Sequence, residues 1–274
     1  MATIAAGTAK RERDPDVLSG TPRAHAIDRW IFVFMAAWFI AIVLAGFIPD
    51  SIEKVASVQS GERPPFPLVL HIHAVLMGSF LLVLLAQTTL AATGRIEQHR
   101  RLGMAGMVLA PALVIAGFVL VPTNHHLLWK AVHAAAPAQR EDLLLSIRIW
   151  ENIMLLQIWI GLAFALFIAI ALKARGASAG LHKRMMILAV AMPLPAGFDR
   201  IPWLPSTMPF SPLSAELYVL LAVAPMLIWD VVRNRRVHCA YWIFLGVNVP
   251  IAIVVNTLWD MPVWHATARA LMGV

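Results

Sequence analysis

An uncharged apolar run from Ala74 to Ala92 lies between His71-Ile72-His73 and the turn Gly94-Arg95-Ile96-Glu97-Gln98-His99-Arg100-Arg101-Leu102-Gly103. Roughly 20 helical residues cross the ~30 Å hydrocarbon core of a bilayer. Inside that core the backbone must satisfy its own polar groups, which a helix does. The run therefore predicts a transmembrane helix with histidines at one membrane face and a histidine–arginine box at the other. Similar runs recur over residues 30–48, 68–92, 102–121, 149–172, 185–202, 213–229 and 241–258. Together they predict an all-α bundle of seven transmembrane helices.

The composition agrees with this reading. Hydrophobic residues make up 60% of the chain, charged residues 14%, and the mean hydropathy is +0.75. The net charge of +7 does not indicate a nucleic-acid partner, because the basic residues fall at the ends of the apolar runs. Cys239 is the only cysteine, which excludes an internal disulfide and a cysteine metal cage. Residues 1–28 are polar, with Lys10, Arg11, Arg13 and Arg23 among Gly and Pro; they are expected to form a disordered tail and not a cleaved signal peptide. Residues 29–274 are expected to form one membrane domain.

With seven crossings the termini lie on opposite sides. The N-terminal tail and the loops on its side hold 15 Lys and Arg, against 7 on the other side. The positive-inside rule then puts the N-terminus in the cytoplasm and Val274 outside. His99 and His182 fall near the inner face. His71, His73, His125, His126, Glu151, Asn152, Asp199, Arg200, Glu216, Asn256 and Asp260 fall near the outer face.

An internal repeat is expected. With Arg95 set against Arg175, His71 falls on Glu151 and His73 on Ile153, and His182 matches His99 after a three-residue insertion. Spans two–three and four–five would then be parallel hairpins related by a pseudo-twofold axis along the membrane normal.

The boxes His99-Arg100-Arg101-Leu102-Gly103 and His182-Lys183-Arg184-Met185-Met186 resemble those of a group of bacterial multi-pass membrane proteins, over roughly residues 70–202. That resemblance brings no activity and implies a bacterial cytoplasmic membrane. The same region is similar to the four-helix core of the diheme transmembrane cytochromes b. This second likeness implies that His99 and His182, opening the third and fifth spans, ligate a haem b at the inner face. The chain departs from that pattern on the outer side, where Glu151 stands in place of a histidine.

Each candidate has a structural reading beside its functional one. His99 and His182 are either haem ligands or interfacial groups beside Arg and Lys. His71 and His73 lie about 200° apart on a helix, so both cannot chelate one ion from a regular turn. His71, His73, His126 and Asp260, with Glu151 and Asp199 as catalytic carboxylates, fit Zn or non-haem Fe chemistry, or else an outer layer of ion pairs. The methionines read as packing. Two functions follow, with a third beside them. The first is a redox protein binding haem and exchanging electrons with quinone. The second is a metal-dependent enzyme acting on a lipid or isoprenoid at the outer face, where the proline-broken fifth span would open a cavity to lipid. The third is a non-catalytic binding or transport bundle.

Overall fold

The structure is a computed structural model that describes residues 16–19 and 25–274. Of the expected tail, Lys10, Arg11, Arg13 and Arg23 lie outside the described residues. The elements are a 3₁₀ turn Val17–Ser19 and helices α1 (Ala26–Gln59), α2 (Leu68–Ala92), α3 (Ile96–Ala134), α4 (Pro137–Ala174), α5 (Ala179–Ala191), α6 (Pro195–Phe198), α7 (Leu213–Asn234), α8 (Cys239–Leu258) and α9 (Pro262–Met272). No strand occurs among the described residues. Six helices, α1–α4, α7 and α8, are long and apolar enough to cross a membrane.

The expected fifth span takes a different form. Pro193 and Pro195 have no N–H to offer the carbonyls four residues back, so the helix cannot run through them. Met192 N bonds Ala189 O at 3.2 Å and Leu194 N bonds Ala191 O at 3.2 Å, so the chain tightens into a turn between α5 and α6.

Prolines elsewhere do not end helices. The third span was expected to stop at Pro122, yet α3 passes through Pro111 and Pro122. Each proline removes one amide, leaving only the carbonyl four residues back, Met107 or Phe118, without its usual partner, while Thr123 Oγ1 bonds Val119 O at 2.7 Å and His126 Nδ1 bonds Pro122 O at 2.8 Å. Likewise α1 continues through Pro49. α4 begins at Pro137, twelve residues before the expected 149, because proline suits the first turn of a helix.

At 1.5 Å per residue, α3 is ~58 Å long, about twice the hydrocarbon thickness. A Cβ on Gly117 of α3 would lie 3.7 Å from the ring of His73, near the start of α2. Residues of α3 beyond Pro122 therefore extend past α2, and α4 extends with them. α9 folds back onto this projecting pair and packs on α3 and α4.

We call the end where α1 begins proximal and the opposite end distal. The proximal end is closed by buried charge. Arg184 of α5 and Asp230 of α7 are fully buried and paired, with Nε to Oδ2 at 2.5 Å and Nη2 to Oδ1 at 2.9 Å. Arg184 also takes Asp16 at 2.8 and 3.0 Å. Asn234 bonds Asp16 and Asp230, and its own Oδ1 accepts Val17 N at 2.9 Å. Lys183 Nζ donates to Leu18 O, and Leu18 is fully buried in the core. Asp28 of α1 accepts from Trp229 at 3.0 Å and from Arg233 at 2.8 Å. Arg184, part of the second histidine–basic box, is thus locked inside the bundle.

At the distal end α6 crosses α1 closely enough to exclude a side chain. A Cβ on Gly46 would stand 2.1 Å from the carbonyl oxygen of Gly197, a backbone atom that cannot swing away. Arg200, just past α6, lies over the Phe47 ring at 4.7 Å and 3.4 Å from Asp50. Replacing Gly46 by alanine is expected to separate α1 from α6 at a cost of about 1–3 kcal/mol. Thermal unfolding of the purified protein in detergent measures it; an unchanged midpoint would contradict the crossing.

Candidate functional site

The chain brings polar side chains together at both ends. At the proximal end, His99 and His182 are each the fourth residue of their helices, α3 and α5. His99 Nδ1 bonds Gln87 O of α2 at 3.1 Å, and His182 Nδ1 bonds Ala171 O of α4 at 2.8 Å. Each histidine thus fastens its helix to the preceding one. A carbonyl accepts only from an N–H, so Nδ1 carries the proton and Nε2 keeps its lone pair. Both rings are half-buried and lie within electrostatic range of each other. Two imidazoles oriented through Nδ1 and open at Nε2 form a donor set suited to an axial ligand role.

At the distal end Glu151 of α4 is fully buried. Its carboxylate meets His265 Nδ1 at 2.6 Å and Arg269 Nε at 2.9 Å, both from α9. Trp264 Nε1 bonds Glu151 O at 2.8 Å. His265 Nε2 stands 3.2 Å from Asp260 Oδ1, and Arg148 reaches the same oxygen at 2.9 Å. Asn152 Oδ1 accepts Asp260 N at 3.0 Å. Burial works against ionisation of Asp260, but hydrogen bonds from His265 and Arg148 outweigh it and hold its carboxyl below the usual carboxylate range. His125 of α3 is fully buried, stacks on Trp129, and places Nε2 3.6 Å from Glu151 Oε1. Neither of its ring nitrogens has a hydrogen-bond partner.

The expected distal set is only partly assembled. Glu151 is at its centre. His126 is tied to its own helix through Pro122 O and does not join Glu151. His71 is exposed, edge-on to Phe66. His73 sits between α2 and α3 with Nδ1 buried and unpartnered. The two do face apart, as helical geometry requires. Asp199 is exposed, and it is the neighbouring Arg200 that pairs, with Asp50 of α1.

Three members of the cluster, His125, His265 and Arg269, are absent from the expected site. His125 and His126 are adjacent, and which of them faces the bundle depends on the rotation of α3, which passes straight through Pro122. His265 and Arg269 had a readable signal: after Pro262, Trp264/Ala268 and His265/Arg269 each repeat at four residues. Among the described residues no group of three or more His, Cys, Asp or Glu side chains is arranged to hold a metal ion. In comparisons with known proteins, no family model, no curated protein and no solved structure matches the chain.

Replacing Glu151 by glutamine leaves Arg269 and His265 without their anion in a buried setting. The expected cost is about 3 kcal/mol. It is checked by thermal unfolding in detergent, together with hydrogen exchange of the α9 amides, which should accelerate relative to those of α8. Unchanged α9 protection would show that the cluster does not hold α9.

Proposed function

We propose that the chain is an integral redox protein of the bacterial inner membrane that holds a b-type haem between His99 and His182 and exchanges electrons with quinone. One observation carries the reading. The two histidines stand at equivalent positions of α3 and α5, each with Nδ1 held by a carbonyl of the preceding helix and Nε2 left open. Each histidine locks its own hairpin, and the two rings come within electrostatic range of each other. The equivalent positions also support the pseudo-twofold relation between the α2–α3 and α4–α5 hairpins. When bound, haem would supply one-electron chemistry. The chain's own contribution is to orient both rings and fix their tautomer.

The visible spectrum of detergent-purified protein tests this. The expected result is a Soret band that shifts on reduction, lost in His99→Ala and in His182→Ala while His126→Ala keeps it. Colourless protein after expression with added haem precursor would rule the reading out.

The topology belongs to the same proposal. The α5–turn–α6 segment runs from Arg184, paired with Asp230, to Arg200, paired with Asp50 at the opposite end. Counted as a broken crossing, it makes seven, with the proximal end cytoplasmic by the excess of Lys and Arg there. A C-terminal alkaline phosphatase fusion should then be active and a fluorescent-protein fusion dark; the reverse pattern would invert the orientation.

A second reading, a metal-dependent enzyme acting on a lipid at the distal face, is favoured by one feature: the unpartnered, buried His125 beside Glu151. Against it, Arg269 and His265 already balance the Glu151 carboxylate. The cluster is better read as the fastening of α9.

A further inference from the structure

The break between α5 and α6 borders a small cavity of about 20 Å³ between α4, α7 and α8, whose lining includes Trp159, Met192, Pro195, Glu216 and Asn248. That volume holds one water molecule or one small ion. Glu216, in the first turn of α7, accepts a hydrogen bond from Asn256 Nδ2 at 2.7 Å. It forms no ion pair among the described residues. Glu216 is half-buried, whereas the fully buried carboxylates Glu151, Asp28 and Asp230 each face an arginine. Asn256 Oδ1 in turn accepts from Ser211 Oγ at 3.2 Å, so a polar chain leads from the loop before α7 to the cavity wall.

The backbone at the break adds oxygen. Pro193 and Pro195 have no N–H, Leu194 N goes to Ala191 O, and Ala196 N goes to Pro193 O. The carbonyl of Met192, a residue of the cavity wall, therefore receives no backbone amide. Unpaired carbonyls and an unpaired carboxylate are costly where lipid surrounds the bundle. A cation answers both, since hard cations take oxygen donors, and unwound helix segments with a nearby carboxylate are a recurrent way to hold Na⁺ in membrane proteins.

We infer that the cavity at the α5–α6 break binds one monovalent cation of Na⁺ size, through the Glu216 carboxylate, the Asn248 side-chain oxygen and the freed Met192 carbonyl. The site stands apart from the haem reading and does not rest on it.

Trp159 in the cavity wall provides the readout. Full-length protein in nanodiscs, prepared in choline chloride, is titrated with NaCl while tryptophan emission is followed. The expected result is a saturable change, absent in Trp159→Phe, weakened about tenfold or more in affinity in Glu216→Gln, weakened in Asn248→Ala, and retained in His99→Ala. K⁺ should require higher concentrations. Asn248→Ala keeps the test decisive if Glu216→Gln does not fold. No saturable Na⁺ response in the parent protein, the same response in choline, or an unchanged affinity in both Glu216→Gln and Asn248→Ala would overturn the site. A response to pH alone, with none to Na⁺, would overturn it in favour of a proton.

Discussion

The bundle depends on the pairing of Arg184 with Asp230. Both side chains are fully buried, and they join α5 to α7 at the proximal end. α5 is short and is followed at once by a break, so it cannot hold its place by length alone. Burying two charges is costly, and attraction offsets that cost only when the remaining donors and acceptors are also satisfied. Here they are: Asp16 takes the other side of the guanidinium, the Gly180 carbonyl accepts from it, and Asn234 bridges the two carboxylates. The same network draws Asp16–Leu18 against the bundle. The anchoring of α5 is what lets its fourth residue, His182, lie near His99.

The two ends handle charge differently, for a geometric reason. At the proximal end charges are either buried in matched sets or exposed, as Arg100 and Arg101 are in the opening turns of α3. At the distal end α3 and α4 continue well beyond α2, and a projecting two-helix hairpin has one face without a neighbour. α9 supplies that neighbour. Its Trp264 and Ala268 are buried, and its His265 and Arg269 meet Glu151. Glu151 is thereby paired without any need for lipid or solvent.

Much of the architecture was legible in the sequence because hydrocarbon imposes one simple demand, a long uncharged helical run. Six of the expected spans correspond to long apolar helices. The Pro193/Pro195 pair announced the irregular fifth span, though not where it would break. Prolines misled elsewhere. Pro49 and Pro122 read as stops, but a proline removes only one amide bond, and inside a packed helix the neighbouring turns absorb it. The distal site was legible in its carboxylate and not in its partners. Glu151 stood out as a charge within an apolar run. Its partners sit on α9, more than a hundred residues later, and on the face of α3 that carries His125 and not His126. Contacts at that sequence distance follow from packing and leave little trace in local pattern.

The spacing of the polar groups along α3 limits how the sites can cooperate. His99 and His125 lie on the same continuous helix, separated by 26 residues, or ~39 Å at 1.5 Å per residue. Reacting groups must approach within about 3–3.5 Å. The proximal histidines and the distal cluster therefore cannot act on one reacting centre together. Any influence of one on the other has to pass through a displacement of whole helices. α5 carries His182 at one end and the break beside Glu216 at the other, so it is the element through which occupancy of the cavity and the setting of the histidine pair would be linked.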